Sequence, residues 1–214
     1  TKSITIAIES GSDRLRKIIN KKLENEEIIQ AAINAKAGGL KGIKFYGMVG
    51  LPGEESEDLD ATVEMILTLK KAVPGLRLSL GCSTFVPKSH TPFQWFGVNY
   101  HSEKRLKFLE KKLRLKGIDF RPESYKWSVI QGLISRGDRR LSHLLELVRN
   151  YGDSLGSYKR AFKELRGKLP ELDFYVFDDW ELERILPWNH IQVPLSEATL
   201  KKHLAEATVL IRKK

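Results

Sequence analysis

Cysteine is almost missing from this sequence of 214 residues; Cys82 is the single one. A lone thiol excludes an intramolecular disulfide, a cysteine-rich zinc ribbon and an iron–sulfur cluster ligated wholly by this chain. Long apolar runs are also missing. None approaches the roughly 20 residues that span a bilayer, and no secretory signal is visible. The expected compartment is therefore the cytoplasm, with no membrane partner. There is no internal repeat, no low-complexity tract and no initiator methionine. Thr1 leads almost directly into Ser3-Ile4-Thr5-Ile6-Ala7-Ile8-Glu9, as an excised piece of a longer polypeptide would.

What is present suffices for a folded protein. Hydrophobic residues make up 41% and charged residues 30%, so a core can form and wholesale disorder is not expected. The length suits one or two domains of about 100–200 residues. Lys and Arg number 37 against 27 Asp and Glu, a net charge of +10 that attracts polyanions at low salt. The densest cluster is Lys104, Arg105, Lys107, Lys111, Lys112, Arg114 and Lys116. Such a charged helix face reads first as a solvated surface and second as a nucleic-acid site.

Strand and helix patterns alternate over the first hundred residues. Ile4 to Glu9 reads as a strand, followed by a short helix with Leu15, Ile18 and Ile19 on one face. A second helix starts near Asn25, a good N-cap residue, and stops at Gly38-Gly39. Gly42 to Val49 reads as a strand. A helix carrying Leu59, Val63, Ile66 and Leu67 then ends near Pro74-Gly75, and Leu76 to Phe85 reads as a third strand. This order implies a parallel sheet with right-handed crossovers. From about residue 100 the pattern turns helical: Ser102–Gly117, Ser124–Ser135, Asp138–Tyr151, Ser157–Lys168 and a last helix from Ser196. Asp173–Phe177 reads as a short strand. The expected division is residues 1–100 and 101–214.

The strands alternate, whereas fully covered parallel strands are usually continuous apolar runs. Ile4, Ile6, Ile8, Ile43, Phe45, Val49, Leu76, Leu78, Leu80 and Cys82 suit packing under helices. The other face carries Thr5, Ala7, Glu9, Lys44, Tyr46, Met48, Arg77, Ser79, Gly81 and Ser83. Small and polar residues there suit the lumen of a barrel; a sheet with one solvent face is the alternative.

Three turns follow the three strands. In parallel α/β folds, sites gather at the carboxyl ends of strands. Glu9-Ser10-Gly11-Ser12-Asp13-Arg14 offers a carboxylate for a pair of ribose hydroxyls and backbone N–H groups near a helix start, although Ser12 or Asp13 also serves as a cap. Met48-Val49-Gly50-Leu51-Pro52-Gly53-Glu54 is a tight turn where backbone can approach a ligand. Phe85-Val86-Pro87-Lys88-Ser89-His90-Thr91-Pro92-Phe93 could flank a flat ring; His90 reads more readily as a surface residue than as a general base.

Taken together, these segments resemble the radical SAM enzymes. Ile8 to Leu15 with Asn20-Lys21 is similar to their fourth-strand segment. Gly47 to Asp58 is similar to the fifth-strand G-x-P-G-E segment, and Phe85 to Phe93 to the sixth strand and its loop. The resemblance is nearest to those members that also carry an N-terminal cobalamin-binding domain. It extends to Ser135-Arg136-Gly137-Asp138-Arg139-Arg140 and Leu186-Pro187-Trp188-Asn189-His190-Ile191. It implies an α/β fold, part of a partial TIM-like (β/α) barrel with about three parallel strands, followed by a mainly helical region. Enzymes of this kind use S-adenosylmethionine and a [4Fe–4S] cluster held by a C-x3-C-x2-C loop, which this chain lacks. The resemblance therefore implies a fragment of an Fe–S oxidoreductase, inactive alone, whose partner is the preceding part of its own chain and whose parent has the option of cobalamin. Glu9 and Ser10 fall where the ribose is contacted, and Lys21 near a basic position facing the methionine carboxylate. Gly50 falls beside the adenosyl group, and Phe85 and Val86 near adenine. Tyr46 stands where some relatives have Asp. No catalytic or metal-ligating residue is assigned to this chain, and Cys82 is expected in the core. Two other readings stay open: an RNA-binding or tRNA-modifying domain, and a phosphate-binding barrel enzyme using the Ser10–Ser12 turn.

Overall fold

The computed structural model of the chain describes residues 2–213. Four strands, β1 (Ser3–Glu9), β2 (Gly42–Val49), β3 (Arg77–Thr84) and β4 (Asp119–Pro122), form one parallel sheet in the order β1-β2-β3-β4. Helices α1 (Asp13–Ile18) and α2 (Asn25–Ala37) link β1 to β2, α3 (Ser56–Ala72) links β2 to β3, and α4 (Ser102–Arg114) precedes β4. The parallel α/β reading holds, with one addition. β4 lies inside the stretch that the pattern made mainly helical. Its four residues are too few to show an alternation, but they pair in register from Ser79↔Asp119 to Cys82↔Pro122.

The apolar strand face behaves as its spacing requires. Ile8, Ile43, Phe45, Val49, Leu80 and Cys82 are buried under Ile28 and Ala32 of α2, Ile66 and Leu69 of α3, and Leu106, Leu109 and Leu113 of α4. Each such aliphatic side chain contributes about 1.5–3 kcal/mol on burial. The opposite face is open. Thr5, Ala7 and Arg77 are exposed, whereas Glu9, Lys44, Met48 and Ser83 are half-buried.

The start of α2 differs by one residue from the expected cap. Glu24 is the N-cap, in a reciprocal arrangement with Glu27, and Asn25 is the first helical residue. This frees the Asn25 amide oxygen to accept from Arg16 at 2.7 Å. α1 starts as expected at Ser12, whose hydroxyl accepts from the Leu15 N–H.

The chain condenses into two units. The first comprises the described residues up to Phe85, His101–Glu123 and those from Ala205 on; the second comprises Val86–Tyr100 and Ser124–Leu204. Compactness thus groups α4 and β4 with the sheet, although they follow the division drawn at residue 100, because Leu106, Leu109, Leu113 and Phe120 belong to the sheet's core.

The second unit contains α5 (Tyr125–Arg136), α6 (Leu141–Tyr151), α7 (Leu155–Glu164) and α8 (Leu172–Val176). Its core includes Leu133, Leu144, Val148, Ala161, Tyr175 and Val176. The expectation of a strand over Asp173–Phe177 is corrected: the segment is helical, and Phe177 N–H closes its end by donating to the Asp173 carbonyl at 2.8 Å. Aromatic and β-branched residues suggested a strand. One turn of helix instead buries Tyr175 and Val176 together, which alternation could not do. A last helix, α9 (Glu197–Arg212), begins directly after Ser196. No helix among the described residues is long and apolar enough to cross a membrane.

Candidate functional site

A hollow of about 300 Å³ lies on the open sheet face at the carboxyl end of the strands. Glu9 of β1, Tyr46 and Met48 of β2, Ser83 of β3 and Arg121 of β4 line it, with Glu123 just beyond β4. Parallel strands end on the same side of a sheet, so residues 74 positions apart, Glu9 and Ser83, line one hollow. Glu9, Tyr46 and Ser83, which alternation places on one strand face, line the same hollow.

Glu9 occupies an unusual backbone position. The register between β1 and β2 slips between Ala7 and Glu9, and Glu9 has φ of 63°. Positive φ is uncommon outside glycine and costs on the order of 1 kcal/mol or more. Its carboxylate Oε1 lies 3.4 Å from Lys21 Nζ, and both side chains are part-exposed. Two of the residues singled out in the sequence therefore meet.

The Ser10-Gly11-Ser12 turn faces inward. Ser10 is buried and its Oγ accepts from Ser12 N–H at 3.1 Å. Gly11 N–H donates to Thr62 Oγ1 at 3.0 Å, and Ser12 Oγ donates to Asp58 Oδ1 at 2.6 Å. Arg14 reaches the same Asp58 carboxylate and also donates to the Gly53 carbonyl at 2.7 Å. The turn is thus stitched to α3, and its N–H groups at Gly11 and Ser12 are engaged by side chains. Gly11 has no alternative: a Cβ there would stand 2.4 Å from Thr62 Cα.

The Gly50–Glu54 turn is held from within as well. Gly50, with φ of 80°, donates its N–H to Glu54 Oε2 at 2.6 Å. Arg105 reaches over from α4 to Oε2 at 2.6 Å and to the Glu54 carbonyl at 2.9 Å. Burial pushes the Glu54 carboxyl up to about 7, against the pull of the Gly50 N–H and of Arg105. Of the six residues singled out, Glu9 lines the hollow and Lys21 is paired to it. Ser10 sits in the network beneath, Gly50 is locked in its turn, Phe85 is the half-buried residue after β3, and Val86 packs in the apolar core of the second unit. His90, also in the second unit, is half-buried with φ of 57°, and its Nε2 is buried with no hydrogen-bond partner among the described residues.

Arg16, Arg121 of β4 and Glu123 just beyond it were not singled out, and Arg105 was read only as one member of the basic cluster. Arg16 is 1% exposed and ties Ser10, Asp13, Leu23 and Asn25 together. Nothing in sequence marks one arginine of many as buried. The basic helix spends much of its charge internally: Arg105 on Glu54, Lys107 on Glu103 and Arg114 on Glu110.

The donor set does not fit an iron–sulfur cluster. The one thiol, Cys82, is buried, and burial raises its pKa, with Glu54 and Glu123 adding to the rise. Among the described residues no group of three or more His, Cys, Asp or Glu could hold a metal ion. A nucleoside fits better. The hollow has a carboxylate at its rim and an aromatic ring in its wall.

An uncharacterised protein of Methanocaldococcus jannaschii is 33% identical over 159 residues, which cover 74% of this chain and 35% of that protein. The chain thus spans about a third of the length of this curated relative. The family model of the radical SAM superfamily matches residues 1–66, which carry β1, the Ser10–Ser12 turn, β2 and the Gly50–Glu54 turn. Residues 1–66 of this chain therefore belong to the radical SAM superfamily.

Proposed function

We propose that this chain supplies the ribose- and adenine-facing wall of an S-adenosylmethionine site in a radical SAM oxidoreductase. The cluster-binding cysteines belong to another part of that enzyme, and the chain alone is inactive. The observation that carries this reading is the placement of Glu9. A carboxylate on a positive-φ bulge at the end of β1 stands at the rim of a hollow shared with Tyr46 and Ser83. A carboxylate accepts two hydrogen bonds from adjacent hydroxyls, and the ribose of the cofactor offers such a pair. Lys21, 3.4 Å away, orients that carboxylate and is itself placed to meet a second carboxylate, that of the methionine portion. When bound, the cofactor supplies the adenosyl group; these residues bind and orient it. Among the described residues the outer edge of β1 pairs with no strand, which supports its extension by further barrel strands of the parent polypeptide.

The test is calorimetric titration of the full-length enzyme with S-adenosylhomocysteine. Glu9→Ala should weaken binding about tenfold or more, the effect of losing a charged hydrogen-bond partner. Cys82→Ala should leave it within about twofold. Equal losses would overturn the assignment.

A further inference from the structure

The second unit holds a larger cleft, of about 660 Å³, that none of the preceding accounts for. It is walled by α5, α7 and the chain leading into α8. Its volume falls within the range of about 300–1,000 Å³ usual for small-molecule sites. Two kinds of surface line it. Ile130, Leu155, Phe162, Leu165, Leu169 and Leu172 give it an apolar floor, and all but Ile130 remain only half-buried. Lys126, Lys159, Lys163 and Arg166 stand around that floor, against the single carboxylate of Glu171.

Several cations elsewhere in the chain are paired. Lys107, Arg114 and Lys201 each pair with a glutamate four residues earlier, and Arg140 pairs with Asp138. The side chains of Lys126, Lys159, Lys163 and Arg166 form no ion pair or hydrogen bond among the described residues. Lys159 and Lys163 are moreover four apart on α7, a like-charge spacing that costs the helix a few tenths of a kcal/mol when nothing offsets it. An unneutralised cationic rim over an incompletely covered apolar floor is complementary to one chemistry: an apolar body that ends in an anion.

The geometry points to a binding site for a free medium-chain acyl carboxylate, with its chain on the Leu155–Phe162–Leu169 floor and its head among Lys126, Lys159, Lys163 and Arg166. The floor accounts for a chain and disfavours a purely polar anion, which would leave it uncovered. The rim accounts for a charged head and disfavours a neutral hydrocarbon. This site lies wholly within the second unit and is independent of the nucleoside hollow.

Titration calorimetry of this chain with dodecanoate, below its micellar concentration, tests it. Saturable one-to-one binding is expected. Dodecan-1-ol, with the same chain and no charge, should bind about tenfold or more weakly, and the Lys159→Gln/Lys163→Gln double variant should lose a similar factor for dodecanoate but not for the alcohol. Both lysines are exposed, so circular dichroism should show an unchanged fold. In a second variant, Phe162→Ala, both ligands should weaken together. Equal affinity for acid and alcohol, an unaffected double variant, or no binding of dodecanoate would overturn the proposal. So would binding confined to anionic phospholipid vesicles, or to an oligonucleotide that dodecanoate does not displace.

Discussion

The ring of Tyr46 lies over the backbone of Gly81 on the neighbouring strand, so close that a Cβ at position 81 would stand 2.9 Å from Tyr46 Cε1. These two residues are paired in the β2–β3 register. Lys44 Nζ sits 4.5 Å from the centre of the same ring, a cation–π contact at the hollow's wall. Tyr46 is 41% exposed, so the ring can move. Gly81→Ala should therefore cost under about 1 kcal/mol while shifting the Tyr46 ring. Gly11→Ala drives a methyl into the α3 backbone at Thr62 and should cost about 1–3 kcal/mol or more. Urea denaturation of the two variants checks the contrast; similar losses would show that the ring is as rigidly held as the helix.

Asp58 is the junction of the first turn. It accepts from Ser12 Oγ, from Arg14 and from the Glu55 N–H at 2.8 Å, with its side chain 5% exposed. Asp58→Ala removes the acceptor of all three donors and should cost about 3 kcal/mol, the lower end for breaking a buried ion pair, because Arg14 is part-exposed and keeps its bond to the Gly53 carbonyl. Ser12→Ala removes one helix cap and one bond to Asp58, and should cost about 1 kcal/mol. The two denaturation midpoints, at unchanged denaturant slope, measure the difference. A larger loss at Ser12 than at Asp58 would reverse the assigned hierarchy.

Stability should carry a signature of Glu54. Burial lifts its carboxyl from 4.5 to about 7. Between those values the folded chain holds a proton that the unfolded chain has released. The group's contribution is thus fully present below about pH 4.5 and is lost as pH rises toward 7. The stability of the wild type minus that of Glu54→Gln should fall across this window, by up to about 3 kcal/mol. Thermal or urea melts at pH 4.5, 6 and 7.5 check this; a difference constant with pH would remove the effect.

Cys82 should be inert in the folded chain. It is 2% exposed, and burial raises its thiol pKa, so little thiolate forms at pH 8. A disulfide reagent should titrate one thiol rapidly in denaturant and only at the rate of opening without it. Rapid native labelling would contradict the burial.

Much of the fold was legible because burial obeys geometry. Alternation at Ile4-Ile6-Ile8 and Ile43-Phe45, and helical spacing at Leu106-Leu109-Leu113, mark the core face from residue spacing alone. β4 escaped because four residues carry no period, and the Asp173–Phe177 segment misled because propensity yielded to a packing that buries Tyr175 and Val176 side by side. At the site, the Glu9 carboxylate was legible as a residue at a strand end. The partnership of Arg105 with Glu54, 51 positions apart, was not, since any of several basic residues on α4 could have made it.

The sequence by itself determined the order of the first three strands and the helices between them, the buried face of the sheet and the side on which its turns gather, because each follows from local periodicity and from the shared direction of parallel strands. Only the tertiary structure decided which charges are consumed and which remain open. Arg105 and Asp58 are spent on partners within the first unit, whereas the cations around the cleft of the second unit keep their charge unpaired among the described residues. Desolvation and pairing depend on distances between residues far apart in the chain, and no local pattern encodes those distances.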